Sequence, residues 1–173
     1  YNPSACNDLS LSLPRHLVIV EKEGIFRRLQ EDQFHLRKLP SVLVTGCGFP
    51  DVATRSFVTK LCQICPDLKT VGLCDYNPYG LALLLTYRED EDRLKAADAI
   101  RRSRFETAGL GVDLHWLGFR SSHIGELQIR LHESAFQPLT TRDRQQLRSL
   151  SSTSKVLNDP NYLHEVEAME KGK

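Results

Sequence analysis

Two short apolar runs in this chain each end on a carboxylate. His16-Leu17-Val18-Ile19-Val20 leads straight into Glu21-Lys22-Glu23, and Thr70-Val71-Gly72-Leu73-Cys74 leads straight into Asp75-Tyr76-Asn77-Pro78-Tyr79-Gly80. An acidic side chain at the carboxyl end of a parallel strand stands where open α/β sheets collect their chemistry. Glu21, Asp75 and Asn77 offer hard oxygen donors, which suit magnesium. That ion takes about six oxygens near ~2.1 Å and keeps several as water, so two or three protein ligands suffice. If the two strands are neighbours, Glu21 and Asp75 face one cleft and Asn77 reaches it from a turn. The plain alternative is that acidic residues mark strand-to-helix transitions, where negative charge favours a helix N-terminus. Spacing alone leaves both open.

Other candidates carry weaker signals. Gly46-Cys47-Gly48-Phe49-Pro50-Asp51 could cradle a phosphate with backbone N–H groups before a helix, or be a tight turn; it matches no Walker or dinucleotide fingerprint. Arg55, one turn into that helix, and Lys22, beside Glu21, suit phosphate contacts or surface ion pairs equally well. Arg101, Arg102 and Arg104, next to Phe105, form the compact basic cluster of the chain. It reads as a solvated helix face rather than a nucleic-acid contact. Cys62-x-x-Cys65 falls at a helix end before Pro66, whereas a thioredoxin-type pair belongs at a helix start, and no second pair completes a zinc site. The six histidines show no ligand spacing, and no serine sits in a G-x-S-x-G elbow.

The elements that must position these groups alternate between strand and helix. Strands are expected at Leu17 to Val20, Val42 to Thr45, Val71 to Cys74 and Leu114 to Leu117. Helices are expected over 22–31, after Asp51 (with Val52, Phe57, Val58, Leu61 and Ile64 inward), from Pro78 (with Leu81, Leu84 and Leu85 inward), from the Thr140-Thr141-Arg142-Asp143 cap through Leu150, and from Tyr162 to Lys171. Such alternation gives an α/β fold with a parallel sheet. Three parts are expected: a connecting arm over 1–15, the α/β domain over 16–150 and a helical extension over 151–173. The Arg88-to-Arg93 charge run reads as a solvated insertion.

Composition narrows the class. The 173 residues are 40% hydrophobic and 26% charged, enough for one domain with a real core. A net charge of +1 argues against adhesion to nucleic acid by bulk charge alone. No run reaches the ~18 apolar residues of a membrane span, and no secretory leader is visible. Five cysteines suggest no disulfide framework and a reducing interior. The chain opens on Tyr1 and reads as a piece of something longer.

Taken in order, Val20-Glu21-Lys22-Glu23-Gly24-Ile25-Phe26, Thr45-Gly46-Cys47-Gly48-Phe49-Pro50-Asp51 with Thr54-Arg55, and Asp75-Tyr76-Asn77-Pro78-Tyr79-Gly80 resemble the Toprim domain. The closest match is to the topoisomerase VI A-subunit family, including its eukaryotic relative that makes meiotic double-strand breaks. Trp116-Leu117-Gly118 and Pro138-Leu139-Thr140-Thr141-Arg142-Asp143 extend the resemblance over roughly residues 16 to 150. It implies a Rossmann-like Toprim fold, with a parallel central sheet flanked by helices and C-terminal helical additions. Glu21 corresponds to the Toprim glutamate, and Asp75 with Asn77 to the D-x-D pair. The family pattern has Asp at the second place; Asn77 keeps an oxygen but removes a charge, which weakens Mg2+ binding or removes a second ion.

The resemblance further implies a type IIB topoisomerase-like transesterase. A tyrosine outside this chain attacks a DNA phosphodiester and leaves a 5′-phosphotyrosyl link with a free 3′-hydroxyl. Mg2+, or Mn2+ in its place, held by Glu21, Asp75 and Asn77 would position the phosphate, with Glu21 alternatively a general acid. Implied partners are double-stranded DNA, a second copy in a homodimer, meiotic accessory proteins and a topoisomerase VI B-like subunit, in the nucleus and away from any membrane. The competing expectation is a DNA-binding and dimerisation scaffold whose metal site has decayed at Asn77.

Overall fold

The computed structural model describes residues 14–88, 111–126 and 137–172. Most of the 1–15 arm, the charge run after Arg88 and the Arg101, Arg102 and Arg104 cluster lie outside the described residues. Four strands, β1 (His16–Val20), β2 (Ser41–Thr45), β3 (Lys69–Leu73) and β4 (Leu114–Leu117), form one sheet in the order β2-β1-β3-β4. All three pairings are parallel, with Val20 opposite Thr45 on one side and Leu73 on the other. β1 therefore runs centrally, and four of its five residues are buried, as a strand covered on both faces requires.

The helices follow in turn: α1 (Glu23–Glu31), α2 (Phe34–Arg37), α3 (Val52–Ile64), α4 (Pro78–Tyr87), α5 (Ser121–Glu126), α6 (Thr141–Ser151), α7 (Ser154–Leu157) and α8 (Pro160–Glu170). None is long and apolar enough to cross a membrane among the described residues. Asn77 caps α4, and Pro78 opens it with a fixed φ and no N–H to waste. Its residues Leu81, Leu83, Leu84 and Leu85 are all buried, and each contributes about 2 kcal/mol by leaving water. α7 and α8 close the same core: Val156, Tyr162, Val166 and Met169 pack with Leu17, Ile19 and Leu114.

One helix is turned otherwise than its apolar residues suggest. Val52, Phe57 and Ile64 of α3 are exposed, while Val58 and the polar Thr59 are buried. At about 100° per residue, Val58, Thr59 and Cys62 share one arc, and Phe57 and Ile64 stand on the opposite one. The inward arc was set by packing on the sheet, not by the count of apolar side chains.

Aspartates secure the starts of three of these helices. The Asp51 carboxylate accepts the Thr54 N–H at 2.7 Å, Asp143 completes a reciprocal capping box with Thr140, and Asp159 accepts the Asn161 N–H at 3.0 Å. These hydrogen bonds hold Asp51 and Asp143 below the usual 3.8. For Asp159, burial pushes upward, but the Arg88 guanidinium at 2.7 Å and the backbone N–H groups outweigh it, and the carboxyl is lowered as well. A carboxyl lowered by folding stabilises the fold above its unfolded value and loses that contribution as pH falls through its folded value. The melting temperature is therefore expected to hold from pH 7 to 5 and to drop steeply below about pH 4. Asp159→Asn should cost about 2 kcal/mol at pH 7, a charge-assisted hydrogen bond, and converge on the parent curve in acid. Thermal melts of both proteins across pH check this.

Candidate metal centre

The chain leaves β1 for β2 on one side and returns to β3 on the other, so connections diverge between β1 and β3. Such a switch point opens a crevice outside the carboxyl ends of the strands, and Glu21 and Asp75 stand on its two lips. The Glu21 N–H donates to the Leu73 carbonyl at 3.0 Å, and its carbonyl accepts the Gly48 N–H at 3.0 Å. Its carboxylate Oε2 accepts the Asp75 N–H at 2.9 Å. The first carboxylate thus buttresses the backbone that carries the second.

Lys22 lies in the same place. Its ammonium donates to Asp75 Oδ2, and this hydrogen bond, then the Asp75 and Glu21 charges, raise the lysine above its ordinary value. Asn77 sits two residues on as the cap of α4, where its Oδ1 accepts the Gly80 N–H at 2.8 Å. One lone pair of that oxygen remains. Arg55 is apart: half-buried on α3, with a buried Nε that has no hydrogen-bond partner, and with no bond to Glu21 or Asp75 among the described residues.

The glycine-rich turn is committed internally. Gly48 adopts φ +110°, open only to glycine at low cost, and Cys47 adopts φ 52°. The Cys47 N–H donates to Thr45 Oγ1 and the Gly48 N–H to Glu21, while the Asp51 carboxylate occupies the start of α3. The Gly48 N–H thus braces Glu21 and the Cys47 N–H is held within the turn, instead of both facing a phosphate. Cys74 is inert as a nucleophile: burial, then the Glu21 and Asp75 charges, push its thiol well up. A recess of about 470 Å³ between α1 and the end of β2, lined by Glu23, Phe26, Arg27, Thr45 and Cys47, contains neither Glu21 nor Asp75.

Among the described residues, no three His, Cys, Asp or Glu side chains gather as a ligand set. What the edge offers is two carboxylates, one already neutralised by an ammonium, and an amide oxygen. Water-accessible hard oxygens that attract a cation fit a hydrated Mg2+ or Mn2+, which needs few protein ligands. Lys22 would compete with such an ion for the Asp75 carboxylate. A surface pair with side chains 57% and 43% exposed is worth about 1 kcal/mol or less, so Lys22→Met should tighten Mn2+ binding by no more than about fivefold. Calorimetric titration of the two proteins measures this.

Beneath Asp75 lies an aromatic group that the strand-end pattern does not reveal. Tyr76 stacks on Trp116 (centroids 6.2 Å apart) and meets Phe119 edge-on at 5.9 Å. Trp116 packs on Tyr162 of α8, and Arg120 donates to the Trp116 carbonyl at 2.6 Å. Glu165 of α8, only 3% exposed, accepts the Ser121 N–H at 3.0 Å. A signal for it exists in the sequence: Glu165 falls inside the apolar stripe of Tyr162, Val166 and Met169.

Residues 16–173 match the family model for the Toprim domain of Spo11 and of the topoisomerase 6 A subunit. The chain is 36% identical to Meiotic recombination protein SPO11-2 of Oryza sativa subsp. indica over 159 residues, 92% of this chain and 37% of that protein. It is 31% identical to the DNA topoisomerase 6 A subunit of Arabidopsis thaliana over 91% of this chain and 34% of that protein, and 31% identical to Meiotic recombination protein SPO11 of Mus musculus over 90% and 36%. The chain thus spans little more than a third of the curated relatives it matches.

Proposed function

This chain belongs to the family of Spo11 and the topoisomerase 6 A subunit, whose Toprim domain it carries, and on that premise we propose that it is the metal-binding half of a DNA-cleaving transesterase that starts meiotic recombination. The observation that carries the reading is the hydrogen bond from the Asp75 N–H to the Glu21 carboxylate, which sets the two acids side by side at the switch point.

In this reading Glu21 and Asp75 hold the divalent ion, and Asn77 contributes its free lone pair while it caps α4. The ion, when bound, supplies Lewis-acid stabilisation of charge developing on the phosphate. Lys22, displaced from Asp75, is then available to a phosphate oxygen of double-stranded DNA, and Arg55 contacts the backbone further out. In the alternative role, Glu21 does not hold the ion but serves as the general acid for the leaving 3′-oxygen. A tyrosine from outside residues 1–173 attacks the phosphodiester; the P–O3′ bond breaks as the tyrosyl bond forms, leaving a 5′-phosphotyrosyl end and a 3′-hydroxyl. Residues 1–173 alone are accordingly inactive in cleavage. The assembly is completed in the nucleus by a second copy, meiotic accessory proteins and a topoisomerase VI B-like subunit.

The scaffold alternative rests on Asn77, which supplies no charge. Titration of Mn2+ into the chain and into Asn77→Asp separates the two. Asp caps a helix as well as Asn, so the variant adds a third carboxylate without unmaking α4, and affinity should rise roughly tenfold, the ~1.4 kcal/mol of one added charge contact. Measurable binding by the parent supports the enzyme. No binding by the parent, with recovery in Asn77→Asp, supports the scaffold.

A further inference from the structure

Glu165 is a carboxylate that packing does not explain. It lies in the apolar stripe of α8, is 3% exposed, and has no cationic partner within ion-pair distance among the described residues. Burying an unpaired acid costs several kcal/mol, and a leucine in the same stripe would be cheaper. Its neighbours show what the acid does there. Its Oε2 accepts the Ser121 N–H at 3.0 Å at the first residue of α5. The Ser121 N–H follows directly on Phe119 and Arg120, so its bond to Glu165 anchors the stretch whose Phe119 ring meets Tyr76 edge-on and whose Arg120 holds the Trp116 carbonyl. Tyr76 is the residue after Asp75, and its ring is held by Trp116 and Phe119.

We infer that Glu165 is a positioning residue: it ties α8 and the start of α5 to the turn that carries Asp75, and so holds the Asp75 N–H on the Glu21 carboxylate. Its bearing on metal binding rests on the function proposed above; the positioning itself does not. The consequence is that the C-terminal helix, some ninety residues from Asp75, belongs to the machinery of the strand-end site. Residues that orient a ligand from behind are commonly worth 10- to 100-fold in metal affinity, roughly.

The test uses the whole 173-residue chain and three variants. Glu165→Leu fills the stripe without the carboxylate; Glu165→Gln keeps an acceptor for the Ser121 N–H; Ser121→Pro removes that N–H at a helix position where proline is tolerated. Amide hydrogen exchange reads the Asp75 N–H directly, with Leu17 and Ile19 of β1 as internal references. Glu165→Leu and Ser121→Pro should each speed exchange at Asp75 by about tenfold or more and weaken Mn2+ binding by roughly the same factor, with β1 unchanged; Glu165→Gln should restore both. Unchanged Asp75 exchange in a folded Glu165→Leu or Ser121→Pro, whatever the melting temperature does, overturns the inference. A parent chain that binds no Mn2+ sinks the proposed function instead, and the exchange experiment still decides the positioning.

Discussion

Asp75→Ala is expected to weaken Mn2+ binding by at least ~100-fold while leaving the fold standing. The affinity loss is large because the described residues offer only two carboxylates at this edge, Glu21 and Asp75, and the variant removes one of them. The stability change is small for an independent reason. The Asp75 side chain is 43% exposed, and its only ion pair among the described residues is with Lys22, itself 57% exposed; such pairs are worth about 1 kcal/mol at most. Moreover, the hydrogen bond that joins the lips uses the Asp75 backbone N–H, which alanine keeps. Titration calorimetry beside a thermal melt gives both quantities. Retained affinity in a folded Asp75→Ala would place the ion elsewhere.

Gly80→Ala should behave in the opposite way, with stability and affinity lost together. A Cβ at Gly80 runs into the Asp75 carbonyl oxygen far inside van der Waals contact, and lies 3.2 Å from Cys74 Cβ and Sγ. The first obstacle is backbone and has no rotamer to yield with. Alanine gains about 1 kcal/mol over glycine in a helix interior, but overpacking of this kind costs about 1–3 kcal/mol and often more against main chain, so a net loss of about 2 kcal/mol is expected. Relief requires α4 to move away from the Asp75 turn, which also breaks the Asn77 cap on the Gly80 N–H. Denaturant unfolding with Mn2+ titration of the folded protein checks both. A stable Gly80→Ala with parental affinity would mean that α4 and the turn are not rigidly joined.

The two variants bracket how the site is made. The proposed ligands are exposed side chains, whereas the turn that carries Asp75 is held by backbone contacts beneath them. Lys22 on Asp75 shows that the edge attracts positive charge, and an exposed pair is weak enough for the proposed divalent ion to replace it.

What the residues determined unaided was local. Four strands were legible as apolar runs, the α4 and α6 starts as Asn77-Pro78 and Thr140 to Asp143, and the acids as strand-end punctuation, because each depends on neighbours within a few positions in sequence. Tertiary structure decided the rest. Only the order β2-β1-β3-β4 brings Glu21 beside Asp75, 54 positions apart, and only packing on the sheet turns Phe57 and Ile64 to solvent. Likewise the sequence does not show that Asn77 also caps α4, that Lys22 also rests on Asp75, or that Glu165 meets Ser121 once α8 folds back. The physical reason is common to all of these: a side chain's type is a local property, whereas its partner is chosen by a strand order and a burial that the chain reaches only as a whole.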